Sequence, residues 1–207
     1  MAKNGSLKAF VLLVAVASFY LPKSVGAAAV TPGLPYQCAP GVYNVIEGTV
    51  ASEVLVGTAG DDFIKGNGGA DTVVGNGGND CVVTLGGADK ITTGDGNDVI
   101  LAGSGNNIIN AGNGNNQVVT LGGADKITTG SGVDSVDAGD GSNIVDTGAG
   151  NDQVTTGNGA DNIKTRSGND NISSGTGGDI IDGGPDCDVI DGVPDNEGEC
   201  CEWENIT

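Results

Sequence analysis

The chain has 207 residues, of which 39 are glycine and 3% are aromatic, and its 27 acidic and 8 basic side chains give a formal net charge of −19. This balance excludes nucleic acid and anionic membrane surfaces as expected partners and favours cations. The sequence contains no histidine, so it offers no imidazole as a general base or as a ligand for zinc or copper.

The first predicted element is a secretory signal peptide, residues 1–28. Lys3 and Lys8 precede an apolar run from Ala9 to Leu21, and small residues follow at 25–27. This order is typical of a signal peptide, so we predict a secreted, extracellular protein. A membrane anchor is the alternative, but about 13 apolar residues are fewer than the roughly 20 that a spanning helix needs. We therefore expect no membrane span in the mature form.

Residues 29–56 follow, and we predict that they form an N-terminal cap on the repeats described next. Its apolar residues Val45, Ile46, Val54 and Leu55 are expected to cover the first coil, because terminal coils of repeat proteins need caps.

Residues 57–191 contain fifteen units of nine residues. In each unit an Asp or Asn is followed two places later by Val or Ile, and Gly stands two places before it except at Asp186. We call these Asp and Asn residues the column residues. They are Asp62, Asp71, Asp80, Asp89, Asp98, Asn107, Asn116, Asp125, Asp134, Asn143, Asp152, Asp161, Asp170, Asp179 and Asp188.

A typical unit runs from Gly75, position one, to Val83, position nine, with Asp80 at position six. Six residues of turn chemistry precede three of strand chemistry, and the Val or Ile at position eight points to one interior line. Two units then make one coil of 18 residues with a strand on each of two facing sheets. The predicted fold is an all-β parallel β-roll, or β-solenoid, with short terminal caps.

Stacked coils place the column carboxylates in rows one coil apart, where like charges repel one another. A bound cation would turn this repulsion into attraction. The sequence therefore predicts metal sites along the rows of column residues.

The units resemble the calcium-binding nonapeptide of the RTX (hemolysin-type) family, whose pattern is G-G-x-G-x-D-x-U-x. The resemblance covers residues 57–191 and implies several Ca²⁺ ions held between turns of successive coils. The column residues would supply side-chain oxygens, and carbonyls of positions one to four, such as those of Gly75 and Gly77, would complete the oxygen shell.

The chain departs from the family pattern at several positions. Position two is Leu85, Leu121 or Arg166 instead of Gly, which puts the turn geometry in doubt. Asn107, Asn116 and Asn143 keep an oxygen ligand but lose its charge, so we expect their sites to be weaker or empty. The middle of the rod, residues 105–145, is then expected to be its loosest part.

Three alternatives to this interpretation are a metal-free solenoid, a disordered chain and a solenoid that binds ice or a crystal surface. The ice- or crystal-binding alternative rests on the frequent threonines, but Ala102, Ala111, Asp137 and Asp146 are expected to interrupt any outward row. The asparagines at position five are expected to line one edge of the rod and are explained by turn propensity. The threonines are Thr84, Thr92, Thr93, Thr120, Thr128, Thr129, Thr155 and Thr156, and the asparagines are Asn79, Asn97, Asn115, Asn151 and Asn169.

The last predicted element is a C-terminal cap, residues 192–207, with Trp203 and two of the five cysteines. The five cysteines indicate an oxidising compartment. Cys38 and Cys81 lie near one end of the predicted rod, and Cys187, Cys200 and Cys201 lie near the other. Bridged Cα atoms lie within roughly 7 Å, so a disulfide cannot join the two ends. We therefore predict a disulfide between Cys38 and Cys81 and another between Cys187 and either Cys200 or Cys201.

The sequence gives no support for an enzyme, since no nucleophile has a plausible base and a thin roll has no deep pocket. We predict a secreted calcium-binding protein that folds on Ca²⁺. Its expected role is that of a surface, matrix or adhesion component, with calcium ions and cell-surface or matrix components as partners.

Overall fold

The computed structural model describes Cys38, residues 43–191 and residues 193–194. The described residues form eighteen β-strands. None of these residues belongs to a helix that could cross a membrane. The predicted signal peptide, Cys200, Cys201 and Trp203 lie outside the described residues.

The strands form two sheets, and successive strands alternate between them. The first sheet contains β1 (Asn44–Glu47), β3 (Asp62–Lys65), β5 (Cys81–Val83), β7 (Val99–Ser104), β9 (Gln117–Gly122), β11 (Ser135–Asp137), β13 (Gln153–Thr155), β15 (Asn171–Ser173), β17 (Val189–Ile190) and β18 (Val193–Pro194). The second contains β2 (Val54–Val56), β4 (Thr72–Val74), β6 (Lys90–Thr92), β8 (Ile108–Asn110), β10 (Lys126–Thr128), β12 (Ile144–Asp146), β14 (Asn162–Lys164) and β16 (Ile180–Asp182).

Parallel strands pair with a register of 18 residues, which is the predicted length of one coil. Val82 pairs with Ile100, and Ile100 pairs with Val118. On the other sheet Ile91 pairs with Ile109. Because the sequence period is nine, every pairing sets position eight against position eight. The predicted parallel β-solenoid is confirmed.

The hydrophobic core is a single continuous stack of mainly small and β-branched side chains between the two sheets. Residues at position eight supply most of it, and Ile64, Ile100 and Ile127 are each 0% exposed. Burial of a Val or Ile side chain contributes roughly 1.5–3 kcal/mol. This apolar stack therefore holds the two sheets together along the whole of the described rod.

The solenoid begins before the predicted repeats. Strands β1 and β2 pair in parallel with β3 and β4, so residues 44–56 form a further coil, and the predicted count of fifteen units is too low. Of the eighteen described strands, seventeen pair in parallel and only β18 is purely antiparallel. Of the apolar residues expected to cover the first coil, Leu55 is buried and Ile46 half-buried, whereas Val45 and Val54 are exposed. They are exposed because they hold the outward position seven of their units.

The other end of the described rod is closed differently. Strand β18 pairs antiparallel with β17, so the two-residue β18, and not β17, is the edge strand of the first sheet at this end. Very short edge strands are one way in which proteins limit pairing with a second chain.

The unusual residues at position two affect their turns in different ways. Leu121 does not take a positive φ, and β9 continues through it to Gly122, opposite β7, with a register irregularity after Leu101. A γ-branched residue avoids φ > 0, so the chain stays extended there. Arg166 instead adopts a φ of 74°, which keeps the regular turn.

Glycine at position four is required by close stacking of the turns. Gly114 has a φ of 118°, and a Cβ built on it would overlap the carbonyl oxygen of Gly96 in the preceding coil. This turn can therefore stack on the preceding one at strand spacing only because Gly114 has no side chain.

Candidate metal sites

The column residues close the turns and lie directly before the strands, except Asp62, which is the first residue of β3. Fourteen of the fifteen are at most 2% exposed, and only Asp179 is half-buried. Because successive turns alternate between the two edges of the roll, the structure brings the column residues together as two rows. One row contains Asp80 and Asp98, and the other contains Asp71 and Asp89.

One side-chain oxygen of each column residue is used by the fold. The backbone N–H of Asp80 donates to Oδ1 of Asp98 at 2.8 Å, and that of Asp71 donates to Oδ1 of Asp89 at 2.8 Å. The same bond recurs from coil to coil along both rows, at 2.7–3.1 Å. From Asp71 onward, each Oδ1 therefore satisfies a backbone donor of the preceding coil.

The second carboxylate oxygen has no such partner in most turns. A buried Oδ2 without a hydrogen bond is found at Asp71, Asp80, Asp89, Asp98, Asp125, Asp134, Asp152, Asp161 and Asp170. A buried, unpaired charge is costly, so such groups are paired or coordinate metals. Nine repetitions of one unpartnered oxygen point to a ligand bound in repeated sites.

Burial raises the pKa values of several of these carboxyls. Burial raises the pKa of Asp80 to about 7, and the carboxylates of Asp98 and Asp62 add to the rise. Burial also raises the pKa of Asp170 to about 6, again with help from neighbouring carboxylates. For Asp71 and Asp134 burial is likewise the main cause of a raised pKa. The turns hold negative charge where water cannot stabilise it.

Backbone carbonyls converge on the same space. Where the column residue is Asn143, its Nδ2 lies 3.2 Å from the carbonyl oxygen of Gly139 and 3.3 Å from that of Gly141. An Asp in an equivalent turn has Oδ2 in place of this nitrogen. The donor set is then oxygen only, as a hard cation such as Ca²⁺ requires.

No three carboxylates or thiolates of the described residues cluster as a metal site. A cation in these turns would therefore be held by one or two carboxylates together with carbonyl oxygens. This composition is typical of Ca²⁺ sites, which take six to eight oxygen ligands including backbone carbonyls.

The first two turns are closed without a free oxygen. Oδ2 of Asp62 accepts a hydrogen bond from the backbone N–H of Thr58 at 2.6 Å. Glu53 occupies position six of the turn before it, and the N–H of Thr49 donates to its Oε2. These turns do not present the carboxylate oxygen that the later ones leave unpartnered.

Two members of the rows were missed by the sequence analysis. Glu53 lies nine residues before Asp62 and two before the buried Leu55, and Asn44 lies nine residues earlier still. The N–H of Glu53 donates to Oδ1 of Asp71 at 3.0 Å, and Nδ2 of Asn44 donates to Oδ1 of Asp62 at 2.9 Å. The spacing of nine was the signal that could have found them.

Position one points into the roll and not outward. Ala102, Ala111 and Thr84 are each 0% exposed, and the Thr84 hydroxyl donates to the carbonyl of Ala102 at 2.9 Å. The same bond joins five further coils, at 2.7–3.0 Å. The expectation that Ala102 and Ala111 interrupt an outward row was wrong, because the turn bends this position into the core.

The outward strand positions of the described roll present no unbroken plane of threonine. Along position nine of the second sheet Thr92 and Thr128 alternate with Asn110, and Asp146 follows. The interruption by Asp146 agrees with the sequence analysis. This surface gives no support to binding of ice.

The asparagines at position five form a ladder along one edge. The N–H of Asn97 donates to Oδ1 of Asn79 at 2.9 Å, and the N–H of Asn115 donates to Oδ1 of Asn97 at 2.7 Å. Oδ1 of Asn115 in turn accepts from Val133 at 2.7 Å. Beyond turn propensity, these side chains join the coils to one another.

Cys38 and Cys81 form a disulfide with their Cα atoms 5.7 Å apart, as the sequence analysis predicted. Cys81 stands at an outward position, but it is only 1% exposed because Cys38 and Tyr43 pack against it. Cys187 also takes part in a disulfide. Its predicted partners, Cys200 and Cys201, lie outside the described residues.

Comparison with known proteins agrees with this geometry. The model of the RTX calcium-binding nonapeptide repeat matches the chain in four copies, at residues 47–80, 83–118, 119–154 and 155–190. The first copy begins inside β1, so it includes the turn closed by Glu53. A search of curated proteins finds no match.

Proposed function

Since the chain belongs to the RTX calcium-binding nonapeptide repeat family, we propose that its buried aspartates bind several Ca²⁺ ions and that this binding drives folding of the roll. The observation that carries the proposal is the set of nine buried Oδ2 atoms without a hydrogen-bond partner. A cation in each turn would neutralise the carboxylate and satisfy the carbonyls beside it.

The ligands that this proposal assigns are the column aspartates with an orphaned oxygen. On one edge of the roll they include Asp80, Asp98, Asp134, Asp152 and Asp170. Each would contribute Oδ2, while Oδ1 continues to accept its hydrogen bond from the preceding coil. When bound, Ca²⁺ would supply the positive charge that the buried rows lack.

Folding and binding are then coupled, because a preformed site rarely exists in an unfolded chain. In the absence of Ca²⁺ the rows repel one another, and ordering so glycine-rich a backbone costs about 1–2 kcal/mol per residue. We infer that the protein is largely unordered without calcium and forms the roll cooperatively when calcium is present.

We also infer that the protein works outside the cell as a calcium-dependent surface, matrix or adhesion component. The disulfide between Cys38 and Cys81 supports an oxidising compartment. Free Ca²⁺ at about 10⁻⁴–10⁻³ M, the range of extracellular modules, would keep such a roll folded there. No catalytic role is proposed.

Circular dichroism during a Ca²⁺ titration tests the proposal. We expect a cooperative gain of β-structure as free Ca²⁺ passes about 10⁻⁴ M, and a much weaker response to Mg²⁺, which demands a tighter octahedral shell. A far-UV spectrum that is the same in chelator and in excess Ca²⁺ would contradict it. Pull-down from the surface of the secreting cell, with and without Ca²⁺, tests the adhesion role.

A further inference from the structure

The three asparagines among the column residues close their turns in a way that the aspartates cannot. Nδ2 of Asn116 donates hydrogen bonds to the carbonyl oxygens of Gly112, at 3.2 Å, and Gly114, at 3.1 Å. These are positions two and four of its own turn. The amide therefore occupies the space between the two carbonyls and satisfies both of them.

The other two asparagines behave similarly. Nδ2 of Asn143 donates to the carbonyls of positions two and four of its turn. Nδ2 of Asn107 donates to the carbonyl of Gly105, position four, at 3.0 Å. All three side chains thus supply donors where an aspartate would place a negative oxygen.

The orientation of each amide is fixed by the neighbouring coil. Oδ1 of Asn116 accepts the backbone N–H of Asp98 at 3.0 Å, and Oδ1 of Asn107 accepts that of Asp89 at 3.1 Å. Rotating the amide would turn its NH₂ group against this N–H, donor against donor. The nitrogen must therefore face the carbonyls of the turn.

An amide in this position disfavours a cation. Its N–H groups carry the positive end of the amide dipole, and they already occupy the carbonyl lone pairs that a cation would use. Asp134, the next residue of the same row, has a buried Oδ2 without a hydrogen-bond partner. The two side chains differ in one terminal group: the carboxylate of Asp134 favours a cation in its turn, and the amide of Asn116 disfavours one.

We propose that Asn107, Asn116 and Asn143 close their turns without calcium, with the side-chain amide in place of the ion. Residues 102–143, which hold all three, then form a segment that needs fewer ions than the coils on either side. This proposal rests on calcium binding at the aspartate turns. It reverses the expectation that the middle of the rod is its loosest part, since this segment buries fewer uncompensated carboxylates.

A pair of variants that add the same charge one residue apart tests the assignment. Asn116→Asp restores the carboxylate at position six. Asn115→Asp places it on the exposed position five, where Oδ1 can still accept the N–H of Val133. Bound calcium is measured by equilibrium dialysis and elemental analysis of the full chain. We expect Asn116→Asp to bind about one ion more than the parent chain and Asn115→Asp to bind the same number.

An equal number of ions in Asn116→Asp and the parent chain would overturn the proposal, because the asparagine turn would already hold its ion. The parent chain itself tests the proposed function: if it binds no calcium, calcium binding fails and not the amide assignment alone. The two failures are therefore distinguishable in one experiment.

Hydrogen exchange of the unmodified protein gives a second measurement, which decides the question even if a variant does not fold. At rising free Ca²⁺ we expect amides within residues 102–143 to become protected at the lowest concentrations, before those around Asp80 and Asp170. Protection that reaches residues 102–143 last would overturn the proposal.

Discussion

The backbone N–H of Asp134 donates a hydrogen bond of 2.9 Å to Oδ1 of Asp152, one coil further along the chain, while Oδ2 of Asp152 meets no hydrogen-bond donor. One carboxylate therefore has two separate duties. Its first oxygen joins consecutive coils of the folded roll, and its second oxygen is free for a cation.

These two duties can be separated at Asp152. In calcium-free buffer we expect Asp152→Ala to be less stable than Asp152→Asn by about 1–3 kcal/mol, because alanine leaves the buried N–H of Asp134 without an acceptor. Both variants lose the charged oxygen, so both should bind less calcium than the parent chain. Urea unfolding in calcium-free buffer at about pH 4 measures the difference, because the raised pKa values of Asp80 and Asp170 favour the folded state in acid. Equal midpoints for the two variants would show that the bond between coils contributes nothing.

The calcium-free protein is expected to be more stable in acid than at neutral pH. Folding raises the pKa of Asp80 to about 7 and that of Asp170 to about 6, against about 3.9 for an unfolded Asp. The folded state thus binds more protons than the unfolded state across this window, so stability is fully present below about pH 4 and is lost as pH rises through about 6–7. Circular dichroism in metal-depleted buffers from pH 4 to pH 8 measures it. A β-signal that grows with rising pH would have the wrong sign.

Loss of the disulfide between Cys38 and Cys81 is expected to loosen the first coils and leave the rest intact. The bridge closes a separation of 43 residues, and the chain-entropy relation gives about 4 kcal/mol for a loop of that length. In Cys38→Ser we expect faster hydrogen exchange in β1, β3 and β5, because each coil contacts only its neighbours. Strands beyond β9 serve as the internal control, and faster exchange there would mean that the bridge acts on the whole rod.

The ladder of position-five asparagines is interrupted at Val133, which is 58% exposed. Its side chain has no acceptor for the backbone N–H of Asn151 in the next coil. We expect Val133→Asn to raise the free energy of unfolding by about 0.5–1.5 kcal/mol, the net contribution of one hydrogen bond. Val133→Ala is the matched control, since it removes the same exposed apolar group without adding an acceptor. Thermal unfolding with saturating Ca²⁺ compares the two, and equal melting temperatures would argue against the ladder.

The regular part of the roll could be predicted from the sequence because each coil repeats the same local pattern. Two periods of nine give the register of 18 that joins Val82 to Ile100, and the position-eight residues fall on one line. The first coil was harder to find. Asn44 and Glu53 keep only the spacing of the column, and Glu53 carries one methylene more than the residue that the pattern requires.

The details of the site depend on atoms that a pattern of residue types does not contain. Sequence alone treats Asn116 as a weaker aspartate, since both residues offer a side-chain oxygen. The structure shows that this oxygen is already taken by the N–H of Asp98, so the nitrogen must face the turn. The inward direction of Thr84 and Ala102 was missed for a similar reason, because it follows from the bend of the turn and not from the alternation of a strand.

Residues 82–93 and residues 118–129 have the same sequence, and the second copy is displaced by 36 residues, which is twice the pairing register. A displacement of whole coils returns every side chain to the face it came from, so Lys90 and Lys126 both stand on the second sheet, on either side of Ile108. A displacement by an odd number of units would have moved the copy to the opposite sheet. A gene can therefore lengthen this rod by duplicating whole coils, and each added coil brings its own core residues, its own hydrogen bonds and its own demand for ions.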